Sequence, residues 1–482
     1  MSVILDGERL TLGDVVRVAR GGERVEVAAD AIARVQAARD VVERAVARSD
    51  GVGVYGVTTG VGVRKRVSVA SGEMDDYNRR LLRDHRMGAG PDAPREVVRA
   101  AMLRLANGFA KGTSGVRTEL LGRVVDALNA DEAPRVRLRG SAGQSDLGPL
   151  ADLAYGICGD MPLAAKEGIS LINNNSFGTG LAALALADAV RLLEACTVAA
   201  ALDWEAFAAN TSPLHPAVAR ARPYPGIVRR SARMRELLAG SYLWEPGAAR
   251  NLQDPLTFRN AAGILGAVDD GLGFACGQLA IELNAAHENP LVAVGDDEVI
   301  ISVANYEALP LAAALDVARI ALVPAISSAQ ERSVKLLQAP LTGLGTGLQE
   351  AAAESNECAL SELAWASQAL MVEARSLAHP LSTETGSTML AEGIEDRITM
   401  APLGARRLSE QVAVSEELLA LGLVVAAQAV DVRGASPLGA GTARAHAQVR
   451  ERYAFVAAGD SIGPDRADVV ELVRSGALGA ES

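Results

Sequence analysis

Long runs rich in alanine, leucine and valine after Gly180 constrain the architecture of this chain more than any other feature. They cover roughly residues 181–209, 260–285, 307–338, 349–378 and 403–432. Each is longer than the about three or four turns of an ordinary globular helix, so the pattern predicts a bundle of long helices. Aromatic residues make up only 3% of the 482 residues, which suits close helix–helix packing better than an aromatic-rich sheet. The most apolar stretch, Leu181 to Ala201, is interrupted by Asp188, Arg191 and Glu194. Charges at that spacing argue against a membrane span, and no membrane partner is expected.

Before Gly180 the pattern is mixed. Val3-Ile4-Leu5 and Val25-Glu26-Val27, separated by Gly21-Gly22, predict short strands. Ile32, Val35, Val41 and Val46 recur at helical spacing and predict an amphipathic helix over 28–49. Helical periodicity returns over 76–85, 94–109, the stretch ending at Ala130, and 149–160. The expected fold is therefore mainly α, with a mixed N-terminal region over 1–205 and a long-helix bundle plus C-terminal region over 206–482. The tail after Gly459 is expected to end in one short helix.

The net charge of -12 argues against a nucleic-acid surface. Cys158, Cys196, Cys276 and Cys358 lie far apart without a CxxC pair, and there are only five histidines. No metal site is expected, and the thiols are expected to be reduced. Asp6, Glu8 and Arg9 interrupt any apolar leader at the start of the sequence, so a cytoplasmic location is expected.

Three loops carry the chemistry. Arg139 to Leu150, RGSAGQSDLGPL, packs glycine and small residues around Gln144-Ser145-Asp146. Alone, it reads as a tight turn feeding a helix, with Asp146 as N-cap and Pro149 in the first turn. Val52 to Gly62 sets Tyr55 among glycines, which let backbone approach a ligand. Gly168 to Gly180 holds Asn173-Asn174-Asn175-Ser176, too rich in side-chain amides to sit comfortably inside a helix.

The first of these loops resembles the signature of the histidine/phenylalanine/tyrosine ammonia-lyase family, Gly-Ser-x-Gly-Ala-Ser-Gly-Asp-Leu-x-Pro-Leu. Gly140-Ser141-Ala142-Gly143 and Asp146-Leu147-Gly148-Pro149-Leu150 match it. Between them, Gln144 and Ser145 stand where the family has Ala-Ser-Gly, the precursor of the electrophile 4-methylideneimidazol-5-one (MIO). The resemblance continues along the chain. Tyr55 to Gly62 is similar to YGxxTGFG, and Leu103 to Arg117 to LxxLAKGxSGxR. Gly168 to Asn173 is similar to GLxLxNG, with Asn174 replacing glycine, and Gln253 to Arg259 to QDxYSxR, with Leu256 replacing tyrosine. Glu288 to Leu291 resembles TDNPL, Glu331-Arg332 resembles SERR, and Ile394-Glu395-Asp396 resembles QED. Ala304-Asn305-Tyr306-Glu307 stands in place of GNFH.

The resemblance implies a homotetrameric carbon–nitrogen lyase acting on a small amino acid or close analogue by β-elimination. It assigns Tyr55 as base, Arg259 and Asn173 as the carboxylate clamp, and Ser145 as the cofactor candidate. Gln253 and Tyr306 become further contacts at the reacting centre, and Glu395 a substrate-facing acid. Glu373 falls where the histidine-specific branch has a glutamate, and His85 where it has a histidine. The chemistry suits these residue types. A phenol is a base only if its pKa falls well below about 10, and a guanidinium holds a carboxylate bidentately. Because Asp146 follows Ser145 where cyclisation calls for glycine, the MIO group is not expected to form normally. An MIO-free lyase with a better leaving group, an aminomutase-like enzyme and a non-catalytic assembly subunit remain alternative readings.

Overall fold

The computed structural model describes residues 2–48, 52–295, 298–349, 359–383, 387–457, 459–463 and 465–480. Cys358 and the first part of the helix expected over 349–378 lie outside the described residues. Contacts group the chain into two compact units, differently from the single division expected at residues 205 and 206. One unit comprises Met1–Ala187, Ala275–Asp316 and Pro380–Arg406, the other Asp188–Phe274, Val317–His379 and Arg407–Ser482. A boundary read from composition falls at one point of the chain. Four of the five contact boundaries instead fall inside the helices Ser176–Phe207, Ala261–Asn284, Leu309–Leu336 and Ala401–Arg433, and the fifth, after His379, falls between helices.

The first unit holds all four two-stranded sheets found among the described residues. Ser2–Leu5 pairs in parallel with Arg24–Val27, the two segments whose β-branched residues predict strands. Leu291–Ala293 pairs antiparallel with Val299–Ile301. Around these sheets pack the helices Ala29–Ala47, Met74–Asp84, Arg95–Ala110, Thr118–Asn129 and Leu147–Cys158. The helix Arg95–Ala110 is buried along almost its whole length. Its buried Arg104 donates to the Glu282 and Ala285 carbonyls at 3.0 and 2.7 Å, meeting the donor demand that burial creates. The helix Glu167–Ile172 stops at Asn173, and Ser176–Phe207 begins three residues later. The amide-rich stretch is thus a break between two helices.

The second unit has helices and no strand among its described residues. Its core contains Trp204, fully buried, and a buried ion pair in which Arg332 Nε donates to Asp203 Oδ2 at 2.7 Å. Burial still pushes the Asp203 carboxyl up to about 6 despite that partner. The short helix Ala467–Ser475 closes the C-terminal region as expected.

Three helices, Ala261–Asn284, Leu309–Leu336 and Ala401–Arg433, are long and apolar enough to cross a membrane by length and composition. Charges interrupt each of them: Asp269 and Asp270 in the first, Asp316 and Arg319 in the second, Glu416 and Glu417 in the third. Phe274, Ile281 and Ile320 on two of them stay 50%, 63% and 48% exposed, apolar surface that one chain leaves uncovered.

Candidate active site

In the first unit the Ser145 loop is fastened from several sides. Gly143 has φ +80°, and a Cβ there would collide with Thr399 Oγ1, which itself donates to the Gly143 carbonyl at 2.9 Å. Ser145 lies in the left-handed region at φ +63°, an uncommon conformation for a residue with a side chain. Its buried Oγ donates to Asn173 Oδ1.

Asp146 is the anchor. Its backbone N–H donates to the Asn174 carbonyl at 2.8 Å. One carboxylate oxygen accepts from Ser141 Oγ at 2.7 Å, the other from the Gly178 N–H at 2.6 Å. Asp146 does precede Leu147–Cys158, but its side chain makes no bond to that helix. It caps Ser176–Phe207 instead, meeting a first-turn N–H of the wrong helix from a sequence point of view. Burial pushes this carboxyl up to about 6, against the pull of the Gly178 and Phe177 N–H groups and Ser141.

Tyr55 is held by its glycine-rich loop. The Val57, Thr58 and Thr59 N–H groups converge on the Val54 carbonyl, and Gly62 N–H donates to Tyr55 Oη at 3.1 Å. Gly56, at φ +67°, lies against Ile169 and Pro290, so closely that a Cβ would come 2.9 Å from Ile169 Cδ1. The preceding residue, Asn289, accepts Asn173 Nδ2 on its carbonyl at 2.9 Å. Asn175 Nδ2 in turn donates to the Tyr306 carbonyl, and Gln144 bridges to Glu307. A continuous set of contacts therefore links Ser145, Asn173, the Tyr55 loop and Tyr306.

The electrostatics run against the low phenol pKa that Tyr55 requires as a base. Burial raises it and the nearby Glu395 adds to the rise, while the single Gly62 N–H opposes them. Tyr306 is pushed up to about 12 by burial, then by Glu395, Tyr55 and Glu307. Glu395 is itself raised, by burial and then Asp396. Both phenols are thus held neutral and the acid is biased toward neutrality. Tyr77, on the helix Met74–Asp84, stands close enough to Tyr55 to feel its charge, and its buried hydroxyl makes no well-formed hydrogen bond. Sequence reasoning missed it, because a tyrosine in an amphipathic helix carries no signal of its neighbour across the fold. His85 ends that helix with Nδ1 2.8 Å from the Leu81 carbonyl, and no described hydrogen bond ties it to Tyr55 or Ser145.

In the second unit, Gln253 and Arg259 line one open depression of about 470 Å³ together with Phe207, Arg250, Asn251, Asp254, Pro340 and Leu341. Arg259 ends the short helix Leu256–Arg259. Phe258 stacks on Phe207 with ring centroids 4.1 Å apart, and Arg332 donates to the Thr257 carbonyl at 3.3 Å. Those contacts seat the helix. Arg259 Nε donates to the Asp254 carbonyl at 3.2 Å, whereas the Asp254 carboxylate accepts from Asn210 N–H and Asn251 Nδ2. Arg259 therefore makes no ion pair with a carboxylate among the described residues, and its charge is available to a ligand. Glu373 is exposed on the helix Leu363–Ser376, away from the lining of this depression.

Comparisons with known proteins follow the same outline. Residues 10–162 and 160–451 match the family described as aromatic amino acid lyase. The chain is 33% identical to histidine ammonia-lyase of Sorangium cellulosum (strain So ce56) over 506 residues, covering 98% of each. Among solved structures it is similar to the ergothioneine-degrading enzyme ergothionase from Treponema denticola, in complex with desmethyl-ergothioneine sulfonic acid. That likeness has a TM-score of 0.93 and 28% identity, and covers 99% of both chains. It is also similar to tyrosine aminomutase from Streptomyces globisporus, with a TM-score of 0.91, 28% identity, and coverage of 99% of this chain and 98% of that one.

The raised Asp146 pKa has a readable consequence. A carboxyl raised from 3.8 to about 6 on folding contributes stability at low pH that is lost as pH rises through that window. Asp146→Asn removes the titration while keeping an acceptor for Gly178. Wild type should therefore gain thermal stability relative to Asp146→Asn as pH falls from about 6 to about 4. Melting curves that stay parallel across this range would show that Asp146 is not buried as described.

Proposed function

The chain belongs to the aromatic amino acid lyase family and is an ammonia-lyase-like enzyme, and on that premise we propose that it eliminates an amine from an amino acid or close analogue without an MIO group. The family supports carbon–nitrogen lyase activity on amino acids. The finer reading rests on one observation, the bond from Asp146 N–H to the Asn174 carbonyl at 2.8 Å. Forming MIO would require that nitrogen to attack the Gln144 carbonyl. Its residue is also fixed by a carboxylate bonded to Ser141 and Gly178. These residues do not fit the group, and no step is assigned to it.

Without an electrophile to activate the amine, the leaving group must depart unaided. A quaternary ammonium does so, because it leaves as a neutral tertiary amine that needs no proton. Ergothioneine, which the similar Treponema denticola enzyme degrades, is a trimethylammonium betaine of this kind. In our reading Tyr55 takes the β-proton, the C–H electron pair becomes the new C=C bond, and the C–N bond breaks with its pair on nitrogen. A cationic nitrogen arriving beside Tyr55 favours the phenolate and offsets the effect of burial and Glu395. Arg259 grips the substrate carboxylate through its planar fork. Asn173 adds its second amide N–H, the first being used by Asn289. Gln253 and Tyr306 border the reacting atoms, and Glu395 sets the field around the two phenols.

This assignment is tested with α-amino acids and their N-trimethyl betaines, following the unsaturated acid by its absorbance. Betaines should be turned over and primary amines should not. Ser145→Ala should retain activity, whereas Tyr55→Phe should lose it by about 100-fold or more. Primary amines turned over by wild type but not by Ser145→Ala would overturn the MIO-free reading.

The assembly we propose is a homotetramer. Exposed Phe274, Ile281 and Ile320 need a cover, and a lipid one is disfavoured. The helices that carry them also carry Asp269, Asp270 and Glu282, or Asp316, Arg319, Glu331 and Arg332, charges that are costly inside a bilayer. Light scattering should give a mass well above the 50.0 kDa of one chain. A stable single-chain species at micromolar concentration would contradict it.

A further inference from the structure

The depression beside Arg259 carries more positive charge than one carboxylate needs. Arg250 lines it as well, and its guanidinium pairs with no carboxylate among the described residues. Its guanidinium lies against Gly343, which follows the short helix Ala339–Thr342. Gly343, at φ +70°, leaves the space that Arg250 fills, since a Cβ there would come 2.9 Å from Arg250 Nη1. The Arg250 backbone N–H is fixed to the Ala208 carbonyl at 2.9 Å, one residue beyond Phe207 in the wall. Behind the wall, Arg433 donates to the Ala206 and Thr342 carbonyls at 2.7 and 3.1 Å, again without a carboxylate. Among the described residues the only acid in the lining, Asp254, is buried and already accepts two N–H donors. Two guanidinium groups thus line one concavity whose described lining holds a single, occupied counter-charge, with a third behind it, an arrangement that concentrates anions.

A bidentate Arg–carboxylate pair uses one guanidinium. A depression of about 470 Å³ is within the size of a small-molecule site and far larger than one carboxylate. We propose that Arg250 is a specificity-determining residue that binds a second acidic group, so that the substrate is a dianion carrying an acidic side chain besides the α-carboxylate. This rests on the reading of Arg259 as the carboxylate clamp. It narrows the substrate class to acidic amino acids or their N-alkylated analogues, and it accounts for a second guanidinium where the clamp supplies one.

Calorimetry on the assembled full-length protein tests it with succinate and butyrate, probes of equal length that differ by one carboxylate. Wild type should bind succinate at least about tenfold more tightly than butyrate, the gain of a charge-assisted pair. Arg250→Gln should bring the two affinities together while leaving butyrate binding unchanged. Arg250→Lys should restore part of the preference. Arg259→Lys should weaken both ligands. Equal affinities in wild type, or a preference that survives Arg250→Gln, would overturn the proposal. Should Arg259→Lys leave butyrate binding intact while Arg250→Gln removes the preference, the clamp reading fails and the anion site stands. Arg250 is exposed on the surface of its unit, so both variants are expected to fold, and unchanged melting temperatures check this.

Discussion

The first unit depends on one residue that serves two parts of the chain at once. Asp146 gives its N–H to Asn174 and its carboxylate to Ser141 and Gly178. This sets the geometry of the Ser145 loop and starts the helix Ser176–Phe207 in the same stroke. The cost is a carboxyl driven up to about 6 by burial. Its neighbours inherit their positions from it. Asn174 is the middle of the break between two helices, and Asn173 and Asn175 on either side reach Ser145, Asn289 and Tyr306. Removing Asp146 from this arrangement would release the loop and the helix start together.

Each unit holds one part of the chemistry. The first collects phenols and an acid biased toward their neutral forms, with Tyr55, Tyr77, Tyr306 and Glu395 acting on one another. Such a group awaits a positive charge. The second collects guanidinium groups lacking acids, on a platform made by the Phe207–Phe258 stack and the Asp203–Arg332 pair. Such a group awaits a negative one. The substrate class proposed above, a zwitterion or betaine with an acidic end, carries charges of both kinds.

Much of the fold was legible in the sequence because helical periodicity is a local property. The helices expected over 307–338 and 403–432 are Leu309–Leu336 and Ala401–Arg433, and both short N-terminal strands form. The helix break at Asn173 followed from amide chemistry. What sequence could not show were partners across the fold. Gly178 lies 32 residues from Asp146, so the side chain placed as a cap for its own helix serves another. Arg259 and Asp254 are five residues apart, yet the guanidinium meets that residue's carbonyl, since two other donors occupy its carboxylate. Tyr77 and Arg250 have no motif, and only the packing around Tyr55 and Gly343 singles them out. The two contact units interleave along the chain because long helices contribute to both.

The central claim is that residue 146 holds its neighbours through hydrogen bonds and not through a new covalent ring. The intact mass of the purified, active protein tests this most directly. A mass equal to that of the 482-residue sequence, with unmodified Gln144, Ser145 and Asp146 in the corresponding peptide, is the result predicted. A mass lower by two waters, with the loss mapped to that peptide, would contradict it and would make Ser145 the source of the electrophile.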